Sequence, residues 1–148
     1  MIKKLRQLPT ITFLLLGQLA HGQSSAGFYV IMKSKAGCDN KVNAIIGTNT
    51  YCLPKNPVIP QTDFDQVSDV IYDKARQIKY VDLKLSQEGL KILKTLAGKL
   101  PDTHLALVIE GKVAGIFEIP KQVNEIVPIT GVSPHIDWIH DKIKKSKQ

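Results

Sequence analysis

Residues 81–120, VDLKLSQEGLKILKTLAGKLPDTHLALVIEGKVAGIFEIP, determine the fold because their hydrophobic period changes three times with no room for long loops. The run 81–85 alternates apolar and polar residues, which predicts a strand with one buried face. The next residues carry an apolar stripe at helical spacing, made of Leu90, Leu93, Leu96, Ala97 and Leu100. Two more apolar runs, 105–109 and 113–119, follow on either side of a turn. The predicted order is strand, helix, strand, turn, strand.

Several residues in this stretch predict where each element begins and ends. Ser86 is placed to cap the helix, and Glu88 lies in its first turn, where the helix dipole favours an anion. Gly111 and Lys112 predict a tight reversal between the last two strands. Pro120 ends the hairpin because proline cannot donate a hydrogen bond to the ladder.

The remaining segments supply further strands and one more helix. Residues 27–32, 42–46 and 50–53 are predicted strands. Three prolines in 54–60 exclude both a helix and a central strand, so this segment is predicted to be an extended surface connector. Residues 62–66 predict a capped helical turn, whereas 67–74 fit a helix or a strand. Ser133 and Pro134 predict the start of a last helix, whose inward residues are Ile136, Ile139, His140 and Ile143. We predict an α+β fold: an antiparallel or mixed sheet of four to six strands, with two helices packed on one face.

The N-terminal segment has the pattern of a secretory signal peptide. Lys3, Lys4 and Arg6 precede an apolar run and then a small-residue site, so we expect residues 1–22 to be removed by cleavage after Gly22. This leaves one domain, 23–148, that we expect to be periplasmic or secreted. We expect no membrane-spanning segment in it, because no later run approaches the roughly 20 apolar residues that a span requires.

The charge and the cysteines agree with export. Removal of the signal lowers the formal charge from +7 to +4, and with export this makes nucleic acid an improbable partner. Basic residues gather in the tail 142–147, for which a solvated terminus is the simpler interpretation and a phosphate or anionic-lipid contact the alternative. Cys38 and Cys52 are the only cysteines, and an oxidising compartment predicts that they form a disulfide.

The same residues resemble a known family, the head subdomain of the first periplasmic domain of SecD in the bacterial Sec preprotein translocase. The likeness covers roughly residues 50–143. It rests on LKLSQEGLKIL, on the hairpin LALVIEGKVAGIFEI, and on Ile129, Thr130 and Gly131 before the last helix. Two departures are Glu110, where the family usually has aspartate, and the lack of a small-residue segment followed by proline after the hairpin.

The resemblance implies both structure and function. It favours a helical turn at 62–66 followed by a strand that pairs with 78–85. It also implies contact with preprotein outside the membrane. SecD works with membrane helices that carry proton-coupling carboxylates, and we expect no such helices here.

A search for catalytic or metal-binding patterns predicts no enzyme, no cofactor and no metal site. His135, Asp137, His140 and Asp141 are the one cluster of metal-ligand residue types. A spacing of five residues separates the two histidines by about 140 degrees on a helix, so they cannot face one ion. No serine lies in a nucleophile-elbow motif, and glycine-rich phosphate loops are absent.

The candidate binding residues are Glu110 and Lys112 at the predicted turn, together with the aromatic residues Phe117 and Trp138. Aromatic residues in such positions usually belong to the core. If they are exposed together, they suit an extended polypeptide, bound through side chains or by strand addition.

The first functional hypothesis is an exported, non-enzymatic protein-binding domain, accessory to protein export or periplasmic folding, whose partner is an extended polypeptide or a Sec component. The alternative is a small disulfide-stabilised inhibitor or immunity-type protein that binds a single exported enzyme through 33–61.

Overall fold

The computed structural model describes residues 25–33, 37–131 and 134–147. The predicted signal peptide and the predicted helix cap Ser133 lie outside these residues. The strands are β1 (Gly27–Val30), β2 (Lys41–Asn43), β3 (Thr50–Cys52), β4 (Ile59–Pro60), β5 (Phe64–Val67), β6 (Ile71–Asp73), β7 (Ile78–Leu85), β8 (His104–Ile109), β9 (Lys112–Glu118) and β10 (Ile126–Gly131). The helices are α1 (Gln87–Lys99) and α2 (His135–Lys145), and a single 3-10 turn spans Gln61–Asp63.

The α+β class is confirmed, and its strands divide between two larger sheets instead of forming one. The first sheet has the antiparallel order β4-β1-β8-β9. In the second sheet β7 is the centre, with β10 on one side and β5 and β6 on the other. A third, two-stranded sheet is the hairpin of β2 and β3.

The main core lies between the two larger sheets and the helices. Val81, Leu83 and Leu85 of β7 are buried in it, as the alternating pattern predicted. The α2 residues Ile136, Ile139 and Ile143 join the same cluster and are at most 1% exposed. Both helices contact β7, so one face of the second sheet is covered and its other face meets solvent.

The opposite face of the first sheet is covered by the β2–β3 hairpin. Val42 and Leu53 pack there on Tyr29, Ala106 and Val108 to form a second, smaller core. The predicted disulfide between Cys38 and Cys52 closes the base of this hairpin, with 5.7 Å between the two Cα atoms.

Helix α1 begins where the sequence predicted. The Ser86 hydroxyl accepts a hydrogen bond from Gly89 N–H at 3.1 Å and also contacts the Asp63 carboxylate. Gly89 is buried, and a Cβ added to it would lie 3.2 Å from the Asp63 carbonyl oxygen. The absence of a side chain therefore lets the helix approach the 3-10 turn closely. Gly89 at the helix start therefore has a packing role.

The predicted stripe of α1 is rotated relative to its observed buried face. Leu93 is buried, and Ile92, Leu96 and Ala97 pack against the core. Leu100 is 41% exposed, and Leu90 is only half-buried and outside the main cluster. Gly89 takes the inward position in the first turn. The centre of the buried face is therefore displaced by about one residue from the centre of the predicted leucine stripe.

Two other local predictions need correction, and an ambiguous segment is decided. The 3-10 turn ends at Asp63 and has no side-chain cap, so Thr62 does not cap a helical turn over 62–66. Residues 64–67 and 71–73 are both strands, which decides the ambiguous segment as the resemblance implied. Pro60, at the end of the predicted surface connector, belongs to edge strand β4 with Ile59, which is fully buried.

Candidate functional site

The tip of the β8–β9 hairpin is held in one position by helix α2. Glu110 and Gly111 are its two central residues, with φ of 50° and 73°, and they join the paired residues Ile109 and Lys112. The reversal is thus one residue earlier than predicted, and Lys112 is the first residue of β9. Positive φ at both positions is typical of the hairpin turn that matches the twist of the strands.

Four side chains at this tip form a continuous series, which we call the tip cluster: Glu110, His135, Trp138 and Lys142. The Lys142 ammonium binds the Glu110 carboxylate and lies 5.9 Å from the centroid of the Trp138 ring. The His135 ring stacks on Trp138 with 6.0 Å between centroids and 9° between planes. The helical residues are three and four positions apart, so they share one face of α2.

His135 also connects α2 to strand β9. Its Nε2 atom lies 2.7 Å from the carbonyl oxygen of Ala114. A carbonyl can only accept, so Nε2 carries the hydrogen and donates it. Helix α2 therefore fixes the hairpin at two places, the tip through Lys142 and the strand through His135.

A cleft of about 570 Å³ lies beside the tip cluster. Its polar lining consists of Ser25, Gln61, Glu110, Lys142, Lys145 and Ser146. The Lys142 charge is already engaged by Glu110, and the Gln61 amide donates to the Ser146 hydroxyl. Most of the polar side chains that line the cleft are thus engaged within the protein.

The structure separates the four predicted binding residues into different environments. Glu110 and Trp138 belong to the tip cluster. Lys112 is exposed and has no ion-pair partner among residues 25–33, 37–131 and 134–147. Phe117 packs edge-on against Phe28 with 5.8 Å between centroids, so it is part of the core and not of an exposed aromatic patch.

The helical histidines point in different directions. His135 donates to Ala114, whereas His140 Nδ1 lies 3.2 Å from the Asp141 carboxylate and its Nε2 lies 3.9 Å from Asp69. No group of three or more histidine, cysteine or acidic side chains with the geometry of a metal site occurs within the part of the chain that the structure describes.

The sequence analysis did not identify the outer edge of β9 as a site. In an antiparallel pair, every second residue directs both backbone groups to its partner strand. Ile119 N–H, just after β9, donates to the Thr103 carbonyl at 3.2 Å, and Phe117 is paired with Leu105. Gly115 and Phe117 are therefore residues of β9 that direct their backbone groups to β8. Ile116 and Glu118 therefore direct their N–H and C=O groups away from β8.

The beginning of this edge is already occupied by the protein itself. Ala44 forms a parallel bridge with Val113, and Ile45 N–H donates to the Val113 carbonyl at 2.9 Å. The next carbonyl, that of Ala114, is bound by His135. Further along the edge, none of the described residues forms a hydrogen bond with the outward backbone groups of Ile116 and Glu118.

An apolar groove of about 210 Å³ lies next to the free part of the edge. Its lining includes Ile45, Ile46, Tyr51, Gly115, Ile116 and His135. Ile46 is 56% exposed and Ile116 is 37% exposed, so both side chains are accessible to solvent. We call the outward groups of Ile116 and Glu118, together with this groove, the β9 edge site.

The outer edge of the second sheet differs in chemistry. Leu85 N–H donates to the Glu125 carbonyl, so the odd-numbered residues of β10 bond to β7 and the even-numbered residues face outward. Pro128 is one of the outward residues, and proline has no N–H to offer. It removes the central donor of that edge, a common protection against pairing with another chain.

Comparison with solved structures identifies the fold. A structure described as "Structure and function of a membrane component SecDF that enhances protein export" matches 82% of this chain with a TM-score of 0.59 and 14% identity. A crystal structure of SecDF in its super-membrane-facing form matches the same share with a TM-score of 0.60 and 13% identity. The fold is similar to the periplasmic region of SecDF.

The similarity is structural and covers part of the larger proteins. The chain spans 62% of the first SecDF chain and 18% of the second. No protein-family model matches the sequence, and no curated protein matches it. Neither helix of the described residues is long and apolar enough to cross a membrane.

Proposed function

We propose that this chain is an exported, non-enzymatic domain that binds another polypeptide in an extended conformation, by strand addition to β9. The observation that carries the proposal is the β9 edge site, where two residues present free backbone donors and acceptors beside an apolar groove. Strand addition obtains affinity from such main-chain bonds and specificity from pockets for alternate side chains.

The fold supports a polypeptide as the ligand. SecDF is described as a membrane component that enhances protein export, and its periplasmic region has the fold of this chain. A domain of this fold that binds extended polypeptides would serve as an accessory to export or to folding after export.

The location that we propose is the periplasm or the exterior of the cell. The signal-peptide pattern of residues 1–22 directs the chain to export. The Cys38–Cys52 disulfide supports the same location, since structural disulfides persist in oxidising compartments.

The protein's own chain supports the use of β9 rather than β10. Ala44 and Ile45 already pair with β9 at Val113, which supports strand addition along this edge. On β10 the outward Pro128 opposes such pairing. A bound segment would continue along β9 from the point where Ile45 leaves it.

A substitution that removes one outward donor tests the proposal. Ile116 N–H points away from β8, so Ile116→Pro removes a donor from the free edge without deleting a ladder bond to β8. The matched control, Ile116→Val, keeps the donor. The probe is a fluorescent peptide of alternating isoleucine and threonine, about ten residues long, the upper end of usual strand lengths.

We expect wild type and Ile116→Val to bind the peptide with similar affinity. Ile116→Pro should bind it at least about fivefold more weakly, the value of one net backbone hydrogen bond. Thermal unfolding would confirm that both variants are folded. Equal binding by all three proteins, or no binding by wild type, would overturn the proposal.

Capture of natural partners distinguishes this function from the inhibitor hypothesis. A photo-crosslinking amino acid at position 116 should capture many exported polypeptides from the envelope fraction, and one at the exposed position 94 on α1 should not. A single stoichiometric enzyme at position 116 would instead favour an inhibitor or immunity-type protein.

A further inference from the structure

The β9 edge site presents two chemically different side chains to an added strand. Ile116 and Glu118 are two residues apart, so they lie on the same face of the sheet. Their partners on β8 are Ala106 and His104, which confirms the shared face. A strand added beside β9 would place two of its own side chains, also two residues apart, next to Ile116 and Glu118.

The surroundings of Ile116 are apolar. The groove beside it is formed by the Ala44–Ile46 segment, Tyr51 and β9. Among the described residues that line it, His135 and Tyr51 are the ionisable ones. His135 turns its Nε2–H to the Ala114 carbonyl. A charged side chain would lose hydration against the apolar side chains of this groove, whereas an aliphatic side chain would bury apolar surface there.

The surroundings of Glu118 are different. Its side chain is exposed, and no ion pair to it occurs among the described residues. The cross-strand neighbour His104 is the titratable group opposite it. An unpaired carboxylate at a sheet edge favours a basic residue at the facing position of an added strand and disfavours an acidic one.

We infer that the segment bound at β9 carries an aliphatic side chain next to Ile116 and a lysine or arginine two residues away, next to Glu118. This inference rests on the proposed function and adds the chemistry of the partner. The partner class is an extended, basic and apolar stretch of polypeptide. Its length on the edge is short, because Val113 and Ala114 are already engaged at one end and Pro120 follows β9 at the other.

Paired peptides test the inference. Both have isoleucine at the centre of an otherwise threonine and serine strand; one has lysine two positions away on each side, and the other has glutamate there. The symmetric design makes the result independent of strand direction. Binding is measured at low salt, where exposed charge pairs are screened least.

The wild-type protein should bind the lysine peptide about two- to fivefold more tightly than the glutamate peptide, the range for one cross-strand charge pair. Glu118→Lys should reverse the preference, and Glu118→Gln should abolish it. Glu88→Lys, which changes the net charge equally from a position on α1, should retain the wild-type preference.

The outcomes separate the two proposals. If both peptides bind equally and Glu118→Lys has no effect, the inference is wrong and strand addition at β9 stands. If Glu88→Lys reverses the preference as strongly as Glu118→Lys, the preference comes from net charge and the inference is also wrong. If neither peptide binds while the isoleucine–threonine peptide does, the inference alone is wrong. If that peptide does not bind either, the proposed function fails and the inference fails with it.

Discussion

The Lys142 ammonium of the last helix binds the Glu110 carboxylate at the hairpin tip, although the two residues are 32 positions apart. This contact explains why an exposed acidic residue lies at the turn. Its side chain is 58% exposed and that of Lys142 is 33% exposed, so solvent screens the pair. The contact positions the hairpin more than it stabilises the fold.

We therefore predict that Glu110→Gln has a small effect on stability. The free energy of unfolding should fall by less than about 1 kcal/mol, and the difference should shrink at high salt. Urea unfolding at two salt concentrations measures both. A loss above about 2 kcal/mol would mean that the pair is far better shielded than its exposure indicates.

Removal of the disulfide should have a larger effect. Cys38 and Cys52 are separated by 14 positions, and a closed loop of this length contributes about 3 kcal/mol in the loop-entropy model. The double variant Cys38→Ser with Cys52→Ser should have a free energy of unfolding lower by about that amount. It should therefore unfold at a lower urea concentration. Wild type in reducing buffer is the control, and its unfolding curve should approach that of the variant. An unchanged midpoint in both would contradict the prediction.

Two leucines of the predicted α1 stripe should respond differently to truncation. Leu93 is 2% exposed and lies in the main core, so Leu93→Ala should cost about 2–5 kcal/mol. Leu100 is 41% exposed, so Leu100→Ala should change stability by about 0.5 kcal/mol or less. Chemical denaturation of the two variants compares them directly. Similar losses would show that α1 buries its C-terminal end as well.

Two glycines should respond with opposite sign. Gly111 has φ of 73° in the hairpin turn, so Gly111→Ala should destabilise the protein by about 1–2 kcal/mol. Gly98 lies in α1, and a Cβ there would meet no atom within 4 Å, so Gly98→Ala should stabilise by about 0.5–1 kcal/mol. Thermal unfolding measures both changes. A stabilising Gly111→Ala would exclude the left-handed turn.

Stability should fall at alkaline pH because of Tyr29. Burial raises the pKa of its hydroxyl, outweighing an opposing effect of the Ser25 side chain. Tyr29 ionises near pH 10 in the unfolded chain and only at higher pH in the folded protein. Its contribution to stability is therefore fully present below pH 10 and is lost as the pH rises through the folded pKa.

Tyr29→Phe should remove this part of the alkaline loss. Unfolding free energies of wild type and variant, measured on either side of pH 10, give the comparison, with absorbance of tyrosinate as a second readout. Parallel pH profiles for the two proteins would mean that another group is responsible.

The sequence was informative where interactions are local. Strand β7, the Ser86 cap, helix α1 and the β8–β9 hairpin were predicted from period and end residues, because each depends on contacts within a few positions. The disulfide was predicted from compartment and cysteine count. Glu110 and Trp138 were predicted as candidate binding residues, but their connection through Lys142 depends on how α2 packs, which a local pattern does not encode.

Which side of β9 faces the core was decided by a bulge. Ala114 is an extra residue opposite β8, and it shifts the alternation of side chains along β9 by one position. Val113 therefore faces the small core, whereas Phe117, four residues later, faces the main core. Simple alternation cannot place both correctly, since one inserted residue exchanges the two faces. The amino-acid order determined the elements and their class. Only the tertiary structure decided the division into two sheets, the burial of Phe117 and the free edge at Ile116 and Glu118. Each of these features depends on whether a strand that is distant in sequence lies beside the strand in question.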